Sequence, residues 1–120
     1  MSTVSIRKTH GEDYASIKTV VDQVIADLGG LEDIIKPGYK VIIKPNLVAC
    51  PTERLSGGVT RWEVCLAIYE AVKAVGGEPV IAESSAAGAD TELTIAKCGY
   101  QELRDKGIPV IDLKQKENAR

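Results

Sequence analysis

Lysine, asparagine, glutamate and serine stand at two places in this chain where strands should end. Lys44 and Asn46 bracket Pro45 directly after Val41-Ile42-Ile43, and Glu83-Ser84-Ser85 follows Val80-Ile81-Ala82. Consecutive β-branched residues without polar alternation read as a strand buried on both faces, as in a parallel sheet. Pro45 has no N–H for a ladder, so pairing should end near Lys44, at the carboxyl end of a central strand. Open α/β sheets bind their ligands at that edge. If the two strands are neighbours, Lys44 and Glu83 face one crevice. An ammonium beside a small, glycine-containing loop and two helix starts suits a carboxylate or a phosphate. The alternative is a structural ion pair between Lys44 and Glu83 at a strand end.

Other chemistry is weaker. Residues 84–88, Ser-Ser-Ala-Ala-Gly, resemble a phosphate-cradling loop only in composition, because G-x-G-x-x-G and the Walker spelling are both missing. Without a glycine-rich turn after the first strand, ordinary dinucleotide binding is disfavoured. Cys50, Cys65 and Cys98 have no C-x-x-C spacing. Cys65 falls on an apolar helical stripe and Cys98 precedes a helix-stopping glycine, so both read as core; Cys50, on a long loop, reads as the accessible thiol. No metal site is expected within this chain alone. His10 is the single histidine, and no motif places a nucleophile beside it. Trp62 reads as core. Arg61 opposes the dipole of the helix it opens and is read as pointing into solvent.

The elements that must position these residues follow from periodicity. Residues 3–8 alternate as a short first strand, and Asp13 should cap a helix carrying Ile17, Val20, Val21, Val24, Ile25 and Leu28 on one stripe. After the central strand comes an irregular connection over 48–59. Thr60-Arg61-Trp62-Glu63 then has the capping-box spelling, and Gly76-Gly77 ends that helix. A strand over 80–83 follows, then a helix capped by Asp90 or Thr91, a further helical turn from Tyr100, and a last strand over 108–113. Residues 114–120 read as a frayed tail. The sum is β-α-β-α-β-α-β: an α/β chain with a mainly parallel four-stranded sheet, in a Rossmann-like three-layer sandwich. Its 120 residues make one domain. A net charge of −2 lacks the basic excess of a nucleic-acid binder. No apolar run is long enough to span a membrane, the N-terminus does not read as a signal peptide, and the cytoplasm is the expected compartment.

The order of these features resembles a known family. Val41-Ile42-Ile43-Lys44-Pro45-Asn46-Leu47-Val48, Gly58-Val59-Thr60, Ala74-Val75-Gly76-Gly77, Pro79-Val80-Ile81-Ala82-Glu83-Ser84, Cys98-Gly99-Tyr100 and Val110-Ile111-Asp112-Leu113 are similar to the N-terminal part of the domain of unknown function 362 family. Lys44, Pro45 and Asn46 match its I-K-P-N strand end, Thr60 its helix-opening threonine, and Glu83-Ser84 its acidic-serine strand end, where aspartate is the commoner acid. Longer members are associated with four-iron four-sulfur segments. This chain has no cysteine-rich segment, so the resemblance implies either a fragment or N-terminal portion of a longer architecture, with a C-terminal or ferredoxin-like domain as partner, or a short family member; in both cases it has no cofactor of its own. The implied function is binding of a small anionic ligand or metal at the strand ends within an iron–sulfur-associated redox protein. Lys44, Asn46, Thr60, Glu83 and Ser84 would form the site. Lys44 would supply charge, Asn46 would orient the ligand, and Glu83 would serve as acid/base or metal ligand; Lys44 and Glu83 are the catalytic candidates, with enzymatic activity left open. The alternatives are a non-catalytic scaffold or interaction domain, and a phosphate- or nucleotide-binding enzyme.

Overall fold

A computed structural model describes residues 1–48 and 57–115. Their elements run α1 Tyr14–Asp27, β1 Lys40–Ile43, α2 Trp62–Ala74, β2 Glu78–Glu83, α3 Thr91–Lys97, α4 Gln101–Asp105 and β3 Val110–Asp112. The strands form a parallel sheet in the order β1-β2-β3, with Ile42 opposite Val80, Ile81 opposite Val110 and Glu83 opposite Asp112. The chain is thus α/β, and β2 rather than β1 is the central strand.

Local chemistry sets the helix ends. The Asp13 carboxylate accepts the Ser16 N–H at 3.2 Å and starts α1. Asp90 does the same for α3, accepting the Leu93 N–H at 3.0 Å. The expected capping box at Thr60 does not form. The cap of α2 is Arg61, with no side-chain cap bond. The Thr60 hydroxyl instead accepts the Asn46 N–H at 3.0 Å, a longer-range partner that wins it away from the helix. Gly76 leaves α2 at φ +88°, where a Cβ would press on Pro37, and its carbonyl accepts the Gly38 N–H at 2.8 Å. The two turns that feed β1 and β2 are therefore packed together.

Helix α2 is the hub. It lies on β1 and β2, and α1 and α4 pack against it. One buried cluster unites Leu47, Cys65, Leu66, Ile81, Ile95, Cys98, Tyr100, Leu103 and Val110. Sequential parallel strands with right-handed crossovers put every crossover helix on the same face. That face carries Ile81, Glu83, Val110 and Asp112, all buried.

Two expectations change. The described residues form three strands, not four, because residues 3–8 join no ladder. Their alternation is present but used otherwise: Ser5 and Arg7 turn toward Asp27 on α1, while Val4 and Ile6 stand exposed. Of the expected layers, the described residues show the three-stranded sheet with α2 lying on β1 and β2 and α1 and α4 packed against α2. Finally, Ile42 was expected to be enclosed from both sides and is 65% exposed. It sits on an edge strand, where no further strand flanks it among the described residues.

The N-terminal segment provides a pH-dependent contact. Asp27 accepts Arg7 Nη2 at 2.7 Å, Arg7 Nε at 2.8 Å and the Ser5 hydroxyl at 2.7 Å. These donors hold its carboxyl down to about 2, Arg7 contributing most. A depressed carboxyl stabilises docking above its ordinary titration range, near 4, and loses that contribution as pH falls through the depressed value. Amide resonances of residues 3–8 should keep their docked shifts from neutral pH to about 4 and move to coil values only as pH nears 2. In Asp27→Asn this step should vanish. A midpoint at the ordinary carboxyl value would refute the docking.

Candidate functional site

The candidate site lies where β1 and β2 end side by side. After Ile43 the chain turns through buried Pro45, and Leu47 drops into the core with 0% exposure. That turn leaves the Leu47 N–H without a sheet partner. The Glu83 carboxylate supplies one: its Oε2 accepts Leu47 N–H at 2.8 Å, and its Oε1 accepts Ser84 N–H at 2.7 Å. Lys44 Nζ lies 3.1 Å from the same Oε1 and also donates to the Pro45 carbonyl at 3.0 Å. The Glu83 side chain is 1% exposed whereas that of Lys44 is 58% exposed. The backbone carbonyl of Glu83 accepts Leu113 N–H at 2.9 Å, so this residue touches the chain beyond all three strands.

Thr60 belongs to the same construction. Its N–H donates to the Asn46 carbonyl at 2.9 Å while its hydroxyl accepts the Asn46 N–H, a reciprocal pair. The Tyr100 hydroxyl donates to the Thr60 carbonyl at 2.6 Å. Burial and the neighbouring Cys65 push the Tyr100 hydroxyl far above its ordinary range, so it stays a donor. Asn46 and Ser84 are exposed, and among the described residues the Asn46 amide donates to the Gly58 carbonyl at 3.4 Å. Val48 follows at φ +51°, a left-handed conformation that is strained for a β-branched residue, and its carbonyl accepts the Ala86 N–H. Such strain costs about 1–3 kcal/mol and persists only where the surroundings over-determine it.

All five expected residues therefore meet at one edge, in two kinds. Glu83 and Thr60 are tied into the frame, whereas Lys44, Asn46 and Ser84 face solvent. Lys8 and His10, which follow from the expected first strand as groups at its carboxyl end, are not at a strand end, because residues 3–10 lie outside the sheet. Arg61 does not simply face solvent. Its guanidinium donates to Glu63 at 3.2 Å and to the Glu12 carbonyl at 2.9 Å, tying α2 to the start of α1. Cys65 and Cys98 are buried as expected, and burial pushes the Cys65 thiol up. Cys50 lies outside the described residues.

Sequence reasoning missed one participant. Lys114, read as part of a frayed tail, donates from Nζ to Ser85 Oγ at 3.1 Å, Ala86 O at 2.9 Å and Ala89 O at 2.6 Å. It clamps the 84–89 loop from beyond β3. A lone lysine after a strand carries no signal for this, because two of its three acceptors are backbone carbonyls.

The frame and the exposed groups separate energetically. Glu83→Gln should lower stability by about 2–4 kcal/mol, since a buried acceptor of two backbone N–H groups is altered and its ion pair removed. Lys44→Ala should cost less, about 1–2 kcal/mol, because the buried Glu83 carboxylate loses its counter-charge but keeps both backbone N–H donors. Urea unfolding of both variants measures this; equal losses would show that Lys44 is part of the frame.

Comparisons with known proteins place the chain in a family. The family model described as domain of unknown function (DUF362) matches residues 41–120. The thylakoid-associated protein sll1697 of Synechocystis sp. (strain ATCC 27184 / PCC 6803 / Kazusa) is 27% identical over 116 residues, covering 95% of this chain and 35% of that protein. The chain thus spans about a third of the length of that relative. No solved structure matches. Both described cysteines are buried in the core, and no group of three histidine, cysteine, aspartate or glutamate residues able to hold a metal ion occurs among the described residues. No helix among them is long and apolar enough to cross a membrane. With two-thirds of its residues matched by the family model, and its Lys-Pro-Asn turn and acidic strand end joined in one crevice, the chain belongs to the DUF362 family.

Proposed function

We propose that this domain binds a small anionic ligand, a carboxylate or a phosphate, at the carboxyl ends of β1 and β2. One observation carries the reading. The Lys44 ammonium, the Asn46 amide and the Ser84 hydroxyl are exposed on a backbone held rigid by Glu83 and Thr60. Rigid frame and available donors together are what a preorganised anion site needs. Lys44 supplies the charge, Asn46 and Ser84 the oriented hydrogen bonds, and Thr60 holds Asn46 in place. Glu83 keeps Lys44 beside the crevice, and any proton transfer by Glu83 would have to release one of its present donors.

In this proposal the chain is one portion of a longer architecture. Residues 3–8 keep the alternation of a fourth strand, which would complete the Rossmann-like sheet. Any iron–sulfur cluster would be carried by another polypeptide segment, such as a ferredoxin-like domain. The cytoplasm suits the free thiols of Cys65 and Cys98. The thylakoid association named for the relative would then come from other parts of that protein. An enzyme acting on phosphates or nucleotides is less favoured, because the 84–89 loop is closed by its own hydrogen bonds and by Lys114.

An amide-resolved NMR titration against acetate, succinate, inorganic phosphate and divalent metals tests the site. Shifts should converge on residues 44–46, 58–60 and 83–85 for the anions. Lys44→Ala should weaken binding at least tenfold while the rest of its spectrum stays folded. Undiminished binding by that variant, or shifts confined to other residues, would reject the assignment.

A further inference from the structure

Among the described residues, one face of the sheet is only partly covered, and its exposed part lies at Ile42 on β1. In register across the strands, Ile42 of β1 stands opposite Val80 of β2 and, two residues further along β2, Ala82 stands opposite Ile111 of β3, so two adjacent apolar pairs share that face. Ala82 is buried, Val80 and Ile111 are half-buried, and Ile42 is 65% exposed. Lys40 and Glu78, paired at its amino end, give these pairs a charged rim. β1 is also an edge strand, so the exposed part of the face is open along one side as well.

Parallel sheets are stable with both faces covered, because crossover helices are their natural partners and each open face leaves apolar surface in water. We infer that this face is the docking surface for an amphipathic helix, supplied by polypeptide corresponding to the part of the family's longer members that these 120 residues do not represent. Two observations select that occupant. In the Synechocystis relative 35% of the protein is matched, so about two-thirds of it is further chain available to build a second layer. The dimensions also fit a helix. Three strands about 4.8 Å apart make a strip about 10 Å between outer strands, the width of a single helix. A four-residue β1 is about 13 Å long, which two to three helical turns would cover. The helix would present a stripe of leucine, isoleucine, valine or alanine toward Ile42, Val80 and Ile111, with polar residues outward. This surface is distinct from the strand-end crevice, and its test does not depend on any ligand.

Two measurements decide it. The 120-residue chain and its Ile42→Lys variant are compared by sedimentation and by binding of an apolar fluorescent dye. The chain should be monomeric, and the variant should bind several-fold less dye while unfolding at the same denaturant concentration. A concentration-dependent dimer abolished by Ile42→Lys would overturn the inference in favour of a second copy, and unchanged dye binding would show that the face is not an available apolar surface. The second measurement is a crystal structure of the full-length Synechocystis relative. A helix from outside the matched stretch should lie across the face equivalent to Ile42, Val80 and Ile111. A solvent-exposed face there, or one covered by a second subunit, would refute the assignment.

Discussion

A single buried carboxylate organises the carboxyl edge of this domain. Taking a carboxylate out of water costs several kcal/mol unless charge and hydrogen bonds replace the lost hydration. Glu83 meets that condition with two backbone N–H groups and an ammonium. The requirement runs both ways. The chain leaving β1 must turn at Pro45 to bury Leu47, and that turn strands an N–H which the sheet cannot satisfy. A glutamate on the neighbouring strand is long enough to reach it. Because the Glu83 carbonyl also receives Leu113 N–H, the segments beyond β1, β2 and β3 are held through one residue. A three-stranded sheet has few ladder bonds with which to fix its ends, so side-chain bonds of this kind set the shape of the edge.

What the sequence made legible, and what it did not, follows from the range of the interaction involved. Asp13 and Asp90 were readable as caps because their partners lie three residues away. The consecutive apolar residues of β1 and β2 were readable as parallel strands, and the closeness of Lys44 and Glu83 followed once those strands were neighbours. Thr60 misled because the local capping pattern competes with a bond to Asn46, fourteen residues earlier, and the longer-range partner prevails. Ile42 misled for a related reason. A run of β-branched residues reports that a strand belongs inside a covered sheet, but not which polypeptide provides the cover. Residues 3–8 show the same limit: strand alternation is present, but Ser5 and Arg7 use it to reach Asp27 on α1 rather than to join a ladder. Lys114 left no trace, since carbonyl acceptors have no sequence signature.

The arrangement of Lys44 explains how a site can be preformed and still accept a ligand. Of the donors on Glu83 among the described residues, the two backbone N–H groups are fixed by the fold, while the ammonium sits at the end of a flexible, largely solvated stem. It is the donor that can leave at least cost. An incoming anion that drew Lys44 away would leave Glu83 with both backbone bonds intact, so the frame would not have to rearrange. The strain at Val48 points the same way. A β-branched residue at φ +51° is retained because its carbonyl holds Ala86 N–H and so ties the chain beyond β1 to the loop beyond β2. Binding would then require one side chain to move rather than a loop to order, and little affinity would be spent on organising the site.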